Sequence, residues 1–286
     1  MKKKVIGLKI DVDTYRGMRD GVPRLLQTLK DFNIKGSFYL RIGPDASGLA
    51  MWQIVRNPRF LQKMLTSNAV GMYGIKTALY GTLLASPLIA LSFPQLIEEM
   101  LSDGHDLQFH AWDHRRWQDS LASRSEKWIA EWFSKGIEGF ESLTGKKPRA
   151  FGAPGWMIDE RVVKLASTFG FSYLSCTRAQ EPFIHLSNGL VEIPSDLPCF
   201  EEVGLKDGAH KILRLLNDER THIFPVHAEV EGGVGEEEFR KFLQGALQKG
   251  FAITTVDEIF STLGKSLPLR DFRMELLAGR AFPCAV

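Results

Sequence analysis

Hydrophobic positions along the chain follow a strand period and a helix period in alternation. Residues 5–12 form a short apolar run, rich in β-branched side chains, that is typical of a buried parallel strand. Leucines at helical spacing follow Pro23, and residues 35–41 form the next strand-like run. A strand, a helix and a second strand in this order predict a parallel α/β fold.

The same alternation returns in the second half of the chain. Further strands are predicted at residues 106–109, 149–153, 171–176, 190–193, 222–226 and 251–255. Glycines at 145, 170 and 250 are expected to end the intervening helices. The pattern is close to eight strands alternating with helices, without a composition break. We therefore expect one barrel-like domain over residues 1–264 and a basic, apolar C-terminal tail over residues 265–286.

Residues 43–93 break this alternation. They are rich in glycine, methionine and apolar residues, and the 21 residues from 77 to 97 carry no charge. Pro87 and Pro94 interrupt that run, which argues against a transmembrane helix. Two alternatives remain: an internal apolar hairpin, or an insertion that lies in a membrane interface. We favour the interfacial insertion, placed between the second and third strands.

Composition excludes several classes of protein. The net charge is +2, from 36 basic and 34 acidic residues, and no nucleic-acid-binding motif is present. Charged residues at 9, 11 and 13 interrupt what would be the apolar core of a signal peptide, so we expect no signal peptide and a cytoplasmic protein. The three cysteines are widely spaced, which favours reduced thiols over a disulfide framework.

Acids and histidines follow several of the predicted strands. Asp11 and Asp13 end the first strand. His110 and His114 follow the third strand, and His227 follows a later one. Functional groups gather at the C-terminal ends of strands in parallel barrels, so these side chains should converge. Two histidines and one carboxylate form a ligand set for catalytic zinc or a similar divalent ion, although a histidine pair alone could equally be structural. Such a site predicts hydrolysis of an amide, an ester or a similar carbonyl compound.

Taken together, these stretches resemble the polysaccharide deacetylase superfamily, metal-dependent amidohydrolases on a distorted (β/α) barrel. Within it, the chain is most similar to the 4-deoxy-4-formamido-L-arabinose-phosphoundecaprenol deformylases. The resemblance extends over essentially the whole chain. The matching stretches are KIDVDT at 9–14, GH at 104–105, HAWDH at 110–114, FGAPGW at 151–156 and HAEVEG at 227–232.

The resemblance implies a role for each residue of the predicted site. Asp13, His110 and His114 would be the metal ligands, and zinc is the expected ion, with manganese or cobalt as alternatives. Asp11 would be the general base, and His227 would be the general acid that protonates the departing sugar amine.

Two positions depart from the superfamily pattern. Ala111 stands where serine or threonine usually follows the first metal histidine, and Gly152 stands where an arginine usually orients the base. The deformylase-like branch shares the second departure, which leaves the partner of Asp11 unidentified. A fourth motif, at residues 197–200, is blurred and predicts only an apolar wall.

Other residues near the strand ends are weaker candidates. Arg16, Arg19 and Arg41 could bind a substrate phosphate, although they are equally consistent with surface arginines. Pro154, Gly155 and Trp156 could line the substrate site. Glu229 and Glu231 could support the site or be solvated, and His105 is more consistent with a structural residue than with a ligand.

The resemblance also implies a substrate and a location. The sugar would be carried on undecaprenyl phosphate, so the enzyme would act peripherally on the cytoplasmic face of the bacterial inner membrane. The product would serve the aminoarabinose modification of lipid A, which gives resistance to polymyxin and cationic peptides. The alternatives are a deacetylase of another N-acylated, lipid-linked or cell-wall sugar, and a non-catalytic barrel that binds the lipid-linked sugar.

Overall fold

The first strand, helix and second strand form the parallel unit that the apolar pattern predicts. In a computed structural model that describes residues 4–46, 80, 83–264 and 266–286, β1 (Val5–Val12) pairs in parallel with β2 (Ser37–Arg41). The connection between them contains helix α1 (Val22–Asp31). Because parallel neighbours need a crossover, this helix covers one face of the sheet.

The remaining strands and helices alternate along most of the chain. The strands are β3 (Asp106–Ala111), β4 (Ala150–Phe151), β5 (Tyr173–Leu174), β6 (Phe183–His185), β7 (Val191–Glu192), β8 (Thr221–His227), β9 (Ala252–Thr255), β10 (Leu269–Arg270), β11 (Met274–Glu275) and β12 (Cys284–Ala285). The helices are α2 (Pro94–Ser102), α3 (His114–Ser120), α4 (Glu126–Thr144), α5 (Glu160–Thr168), α6 (Phe200–Val203), α7 (Gly208–Leu213), α8 (Glu236–Gln248) and α9 (Val256–Thr262).

Local sequence signals explain where the longer helices begin and end. The Ser125 hydroxyl accepts a hydrogen bond from the Trp128 N–H at the start of α4, and the Asp159 carboxylate caps α5 in the same way. Gly145, at φ 71°, takes the left-handed conformation that ends α4. The predicted stop at Gly145 is therefore confirmed.

The sheet is curled and mostly parallel, with the strand order β10-β6-β7-β5-β4-β3-β2-β1-β8. Strand β6 runs antiparallel to β7, and β9 pairs with β1 outside this linear order. This architecture confirms the predicted fold class, a distorted (β/α) barrel. The sequence pattern did not predict β6 or the short strands near the C-terminus.

Strand β1 lies next to the terminal strand β8 in this order and has three neighbours. Strand β8 pairs with it from Val5 to Asp11. On its other side, Val5 to Leu8 pair with β9, whereas Lys9 to Val12 pair with β2. The C-terminal half of β1 is therefore enclosed by β2 and β8, whose own C-terminal ends lie at the same edge of the sheet.

The two faces of the sheet carry different cores. The outer face packs against the helices through a large apolar cluster that includes Ile6, Leu8, Ile10 and Val12 of β1. The concave face encloses a smaller cluster, formed by Tyr39, Ala150, Tyr173, Ile193, Ile223, Val256 and Ile259. Side chains alternate between faces along a strand, so Lys9 and Asp11 of β1 belong to the concave face.

Most of the predicted apolar insertion at residues 43–93 lies outside the described residues. Where the chain is described within that range, Pro44 forms an antiparallel bridge with Leu88, and Ala90–Ser92 forms a 3₁₀ turn before α2. No helix among the described residues is long and apolar enough to cross a membrane. The interfacial insertion stays a prediction.

Residues 266–286, within the predicted tail, return to the sheet and cover part of it. Strand β10 pairs in parallel with β6, and β11 pairs with β12. The backbone N–H of Arg178 donates to the carbonyl of Ala285 at 2.8 Å. Cys284 and Ala285 are buried, so this segment contributes to the packed structure.

Candidate active site

The two acids of β1 lie at the edge of the sheet where the parallel strands end. Asp11 is the second-last residue of β1, and Asp13 is the first residue after the strand. The guanidinium of Arg41 donates to the Asp13 carbonyl at 2.8 Å and to the Pro44 carbonyl. These hydrogen bonds fix the backbone that carries Asp13.

The two histidines reach the same place from β3 and the helix that follows it. His110 lies in β3, and His114 is the first residue of α3. The Asp113 carboxylate accepts a hydrogen bond from the Arg116 N–H at 3.0 Å and so caps α3. This cap starts the helix where both imidazoles face one point, with ring centroids 5.2 Å apart.

Asp13, His110 and His114 together form a candidate metal site. His110 Nε2 lies 3.0 Å from Asp13 Oδ1, and His114 Nε2 lies 3.4 Å from Asp13 Oδ2. Nδ1 of His110 donates to the Gly152 carbonyl at 2.7 Å. In the neutral ring this hydrogen bond leaves a lone pair on Nε2, which is the tautomer that ligates metals.

Two buried atoms of this group lack hydrogen-bond partners among the described residues. They are Asp13 Oδ1 and His110 Nε2, which face each other although both present lone pairs. Buried polar atoms are costly without a partner, so this arrangement calls for a bound cation. Burial also lowers the pKa of His114 to about 3, which keeps its imidazole neutral and able to ligate. The residues therefore fit a divalent metal ion.

Glu229 binds the backbone that carries Asp13, a residue of the candidate metal site. Its Oε1 accepts hydrogen bonds from the Asp13 N–H at 3.0 Å, the Thr14 N–H at 2.6 Å and the Thr14 hydroxyl at 2.7 Å. A Cβ on Gly17 would lie 2.4 Å from that oxygen, so the close approach requires glycine. Burial, followed by the charge of Asp13, raises the pKa of Glu229 to about 8.

His227 occupies the other side of the site, at the end of β8. It is the register partner of Asp11, and its Nδ1 lies 3.1 Å from Glu201 Oε1. The backbone N–H of His227 donates to Glu231 Oε2 at 2.7 Å. Burial disfavours the imidazolium, but the charge of Glu201 and those of Asp13 and Asp11 raise the pKa of His227 well above its ordinary value. A histidine held protonated in this way is suited to act as an acid.

Residues 154–156 form a 3₁₀ turn beside His227. Trp156 has a left-handed backbone, and its ring contacts the His227 ring edge-on at 6.3 Å between centroids. Arg178 and Arg280 lie over the Trp156 ring at 4.8 and 4.7 Å, and Arg280 also donates to the Gly155 carbonyl. The C-terminal segment thereby holds this turn against the site.

The other predicted residues lie farther from the chemistry or are engaged within the protein. The Nδ1 of His105 accepts a hydrogen bond from the Gly36 N–H at the opposite end of β3, and burial lowers its pKa to about 4. Arg19 pairs with Asp20 through two hydrogen bonds. Arg16 lies 3.9 Å from the same carboxylate. The structure thus brings together the five main residues but not these three.

Two residues that the sequence did not single out contact the site directly. Lys9 contacts Asp11, and Glu201 contacts His227. Lys9 could have been found, because a lysine two residues before an acid in a buried strand shares its face. Glu201 had no such signal, since its proximity depends on how α6 packs beside β8.

A second group of potential ligands includes Cys199, Glu201 and His227, whose ligand atoms all lie within 4.8 Å of one another. There, the imidazole of His227 already faces the carboxylate of Glu201 as a charged pair. In the Asp13 group, Nδ1 of His110 donates to a backbone carbonyl, so its Nε2 presents a lone pair toward Asp13. The Asp13 group is therefore the better candidate for the metal.

The chain is similar in sequence to proteins of one known family. A profile of the polysaccharide deacetylase family matches residues 1–174. A Shewanella sediminis protein named as a 4-deoxy-4-formamido-L-arabinose-phosphoundecaprenol deformylase, ArnD, is 32% identical, covering 96% of this chain and 92% of that protein. A Wigglesworthia glossinidia brevipalpis protein of the same name is 29% identical over 92% of this chain and 96% of its own length.

A solved structure supports the fold independently. A Mycobacterium smegmatis protein named as a polysaccharide deacetylase superposes with a TM-score of 0.66, covering 96% of each chain. The two sequences are 19% identical, so this likeness concerns the fold alone.

Proposed function

The chain belongs to the polysaccharide deacetylase family, hydrolases of the deacetylase and deformylase type, and we propose that it removes the formyl group from 4-deoxy-4-formamido-L-arabinose carried on undecaprenyl phosphate. The observation that carries this proposal is the group of Asp13, His110 and His114, whose buried lone pairs call for a cation. The relatives named as deformylases supply the substrate class.

The reaction we propose divides proton transfer between two strands. A divalent ion on Asp13, His110 and His114, zinc first with manganese or cobalt as alternatives, would polarise the formyl oxygen and acidify a water molecule. Asp11 takes a proton from the water that adds to the formyl carbon. His227 donates a proton to the sugar nitrogen as the C–N bond breaks, and formate and the free amine leave.

The charges around each residue suit the role proposed for it. His227 is held protonated beside Glu201, so it begins the reaction able to give a proton. Asp11 contacts the ammonium of Lys9 and lies 4.0 Å from His110 Nδ1. The acid and the base are register partners on β8 and β1, so they flank one bound substrate.

The proposed substrate sets where the enzyme works. Its lipid tail stays in the bilayer, so we propose that the protein acts peripherally at the cytoplasmic face of the inner membrane. The apolar residues 43–93 would contact the membrane interface, an assignment that rests on their composition. The free amine produced would serve the modification of lipid A and resistance to polymyxin.

The test is an acyl-release assay with the metal-loaded full chain. Formylated and acetylated lipid-linked sugars are compared with zinc, manganese or cobalt, and formate and acetate are measured separately. We expect formate release, and acetate alone would show a deacetylase of another sugar. Absence of turnover together with tight substrate binding would indicate a non-catalytic barrel.

Two substitutions test the residue roles within the same assay. Asp11→Asn and His227→Ala should each lower kcat by about 10²- to 10⁴-fold, since each removes one proton transfer. Metal content should stay at the wild-type level in both variants. Unchanged turnover in either variant would contradict the mechanism.

A further inference from the structure

Lys9 is a charged side chain enclosed within the concave face of the barrel. It is 0% exposed, and its Nζ lies 2.6 Å from Asp11 Oδ1 and 2.5 Å from Asp11 Oδ2. One ammonium group therefore contacts both oxygens of the proposed base. Because Lys9 has no exposed surface, it cannot itself touch the substrate.

Aromatic rings surround the ammonium group on its other sides. Nζ lies 4.7 Å from the centroid of the Tyr39 ring and 5.5 Å from that of Trp156. Cation–π contacts and the Asp11 carboxylate compensate for the loss of hydration that burial imposes. These contacts hold Nζ against the carboxylate of Asp11.

The backbone at residue 152 makes room for the lysine. A Cβ on Gly152 would lie 3.1 Å from Lys9 Cε and 2.6 Å from Tyr39 Cδ1. The carbonyl of the same residue accepts the hydrogen bond from His110 that leaves Nε2 facing Asp13. Gly152 thus permits the lysine to approach Asp11 and sets the tautomer of a proposed metal ligand.

We propose that Lys9 is the positioning residue of Asp11, fixing the orientation of its carboxylate through contacts with both oxygens. This inference rests on the proposed function, in which Asp11 is the general base. Strand geometry supports it, because residues two apart on β1 project to the same face. A buried ion pair is seldom more stabilising than an apolar pair, so stability alone does not explain this one.

The main test compares Lys9→Met with Lys9→Arg in the formate-release assay. Lys9→Met keeps a long side chain but removes the charge, and we expect kcat to fall about 100-fold, as for a misplaced catalytic group. KM should stay within about twofold, since Lys9 does not contact the substrate. Lys9→Arg keeps a positive charge at this position. Its kcat should therefore be at least about tenfold higher than that of Lys9→Met.

A matched control uses another lysine next to the same strand. Lys4 precedes β1 and pairs with Asp218 at 2.6 Å at the surface. Lys4→Met removes the same charge from the protein and should leave kcat and bound metal unchanged. Metal content is measured for every variant, and loss of metal from Lys9→Met would overturn a role confined to Asp11.

A stability cycle separates this inference from the proposed function. Midpoints of urea unfolding are compared for Lys9→Met, Asp11→Asn and the double variant. The double variant should lose less stability than the two single losses added, because each single change leaves a buried partner alone. Additive losses would overturn the inference.

The outcomes for the two proposals are distinguishable. Wild-type formate release with an unimpaired Lys9→Met variant overturns the positioning role and leaves the function standing. Absence of formate release by the wild type, with non-additive unfolding midpoints, overturns the function and retains Lys9 as the residue that positions Asp11.

Discussion

The two faces of strand β1 are stabilised by different interactions. On the outer face, Ile6, Leu8, Ile10 and Val12 are fully buried against the helices. The concave face of the same strand carries Lys9 and Asp11, which are as well buried but charged. The outer face needs only apolar area removed from water, whereas each charge on the concave face needs a particular partner.

This contrast separates stability from chemistry along one strand. The outer residues pack by matching shape and volume. They contribute to the free energy of unfolding in proportion to their buried apolar area. The concave residues depend on distances of about 3 Å between named atoms. We therefore expect outer substitutions to change the free energy of unfolding, and concave substitutions to change turnover.

The largest expected effect comes from a proposed metal ligand on β3, which is separated from β1 by β2. His110→Ala removes the imidazole whose Nε2 faces Asp13, and it should lower kcat/KM by about 10³-fold or more, several kcal/mol of transition-state stabilisation. Elemental analysis of the purified variant should show a corresponding loss of bound metal. His210→Ala, which removes an exposed imidazole from α7, should retain both. Full activity of His110→Ala would contradict the expectation that substitutions on the concave face change turnover.

The next effect is the converse change on the outer face. Leu8 is fully buried, so Leu8→Ala should lower the free energy of unfolding by about 2–5 kcal/mol through lost burial and a residual cavity. Chemical denaturation measures this loss, and kcat of the folded variant should match the wild type. As a control, Leu186→Ala at a 55% exposed position should change stability by about 0.5 kcal/mol or less. A large fall in kcat for Leu8→Ala would mean that the two faces are coupled.

The outer face is also the part of the structure that the sequence predicts well. Apolar periodicity predicted β1, α1, β2, β3, β8 and β9 to within a few residues of their observed bounds. Strand β6 and the strands after residue 266 were missed, because none of them lies within an apolar run of strand length in the sequence. They form only through pairing with distant segments, such as β10 with β6.

The concave face was predictable only in part. Strand ends indicated where Asp11, Asp13, His110, His114 and His227 would lie, because parallel strands end at one edge. Their partners were harder to predict. Gly152 left Asp11 without the usual arginine in the sequence, and only the three-dimensional packing shows Lys9 in contact with it.

The smallest effect we predict concerns the partner of His227, which mirrors that of Asp11. On β1 an acid contacts a lysine, and on β8 its register partner His227 contacts the acid Glu201. Asp11 and His227 thus each have an opposite charge beside them. Removing Glu201 leaves His227 in place and changes only the balance of its protonation.

Glu201→Gln should lower kcat at neutral pH by about tenfold, as expected when a general acid loses its charged partner. Since Glu201 raises the pKa of His227, the wild-type acid stays protonated to higher pH, and in the variant the alkaline limb of the pH–rate profile should move to lower pH. The same sign applies to stability. The pair stabilises the fold below about pH 6.5, and this contribution is lost as the pH rises through the raised pKa of the folded protein. A pH–rate profile that keeps its alkaline limb would show that His227 is not the acid, or that Glu201 does not set its charge, and His227→Ala in parallel separates these two outcomes.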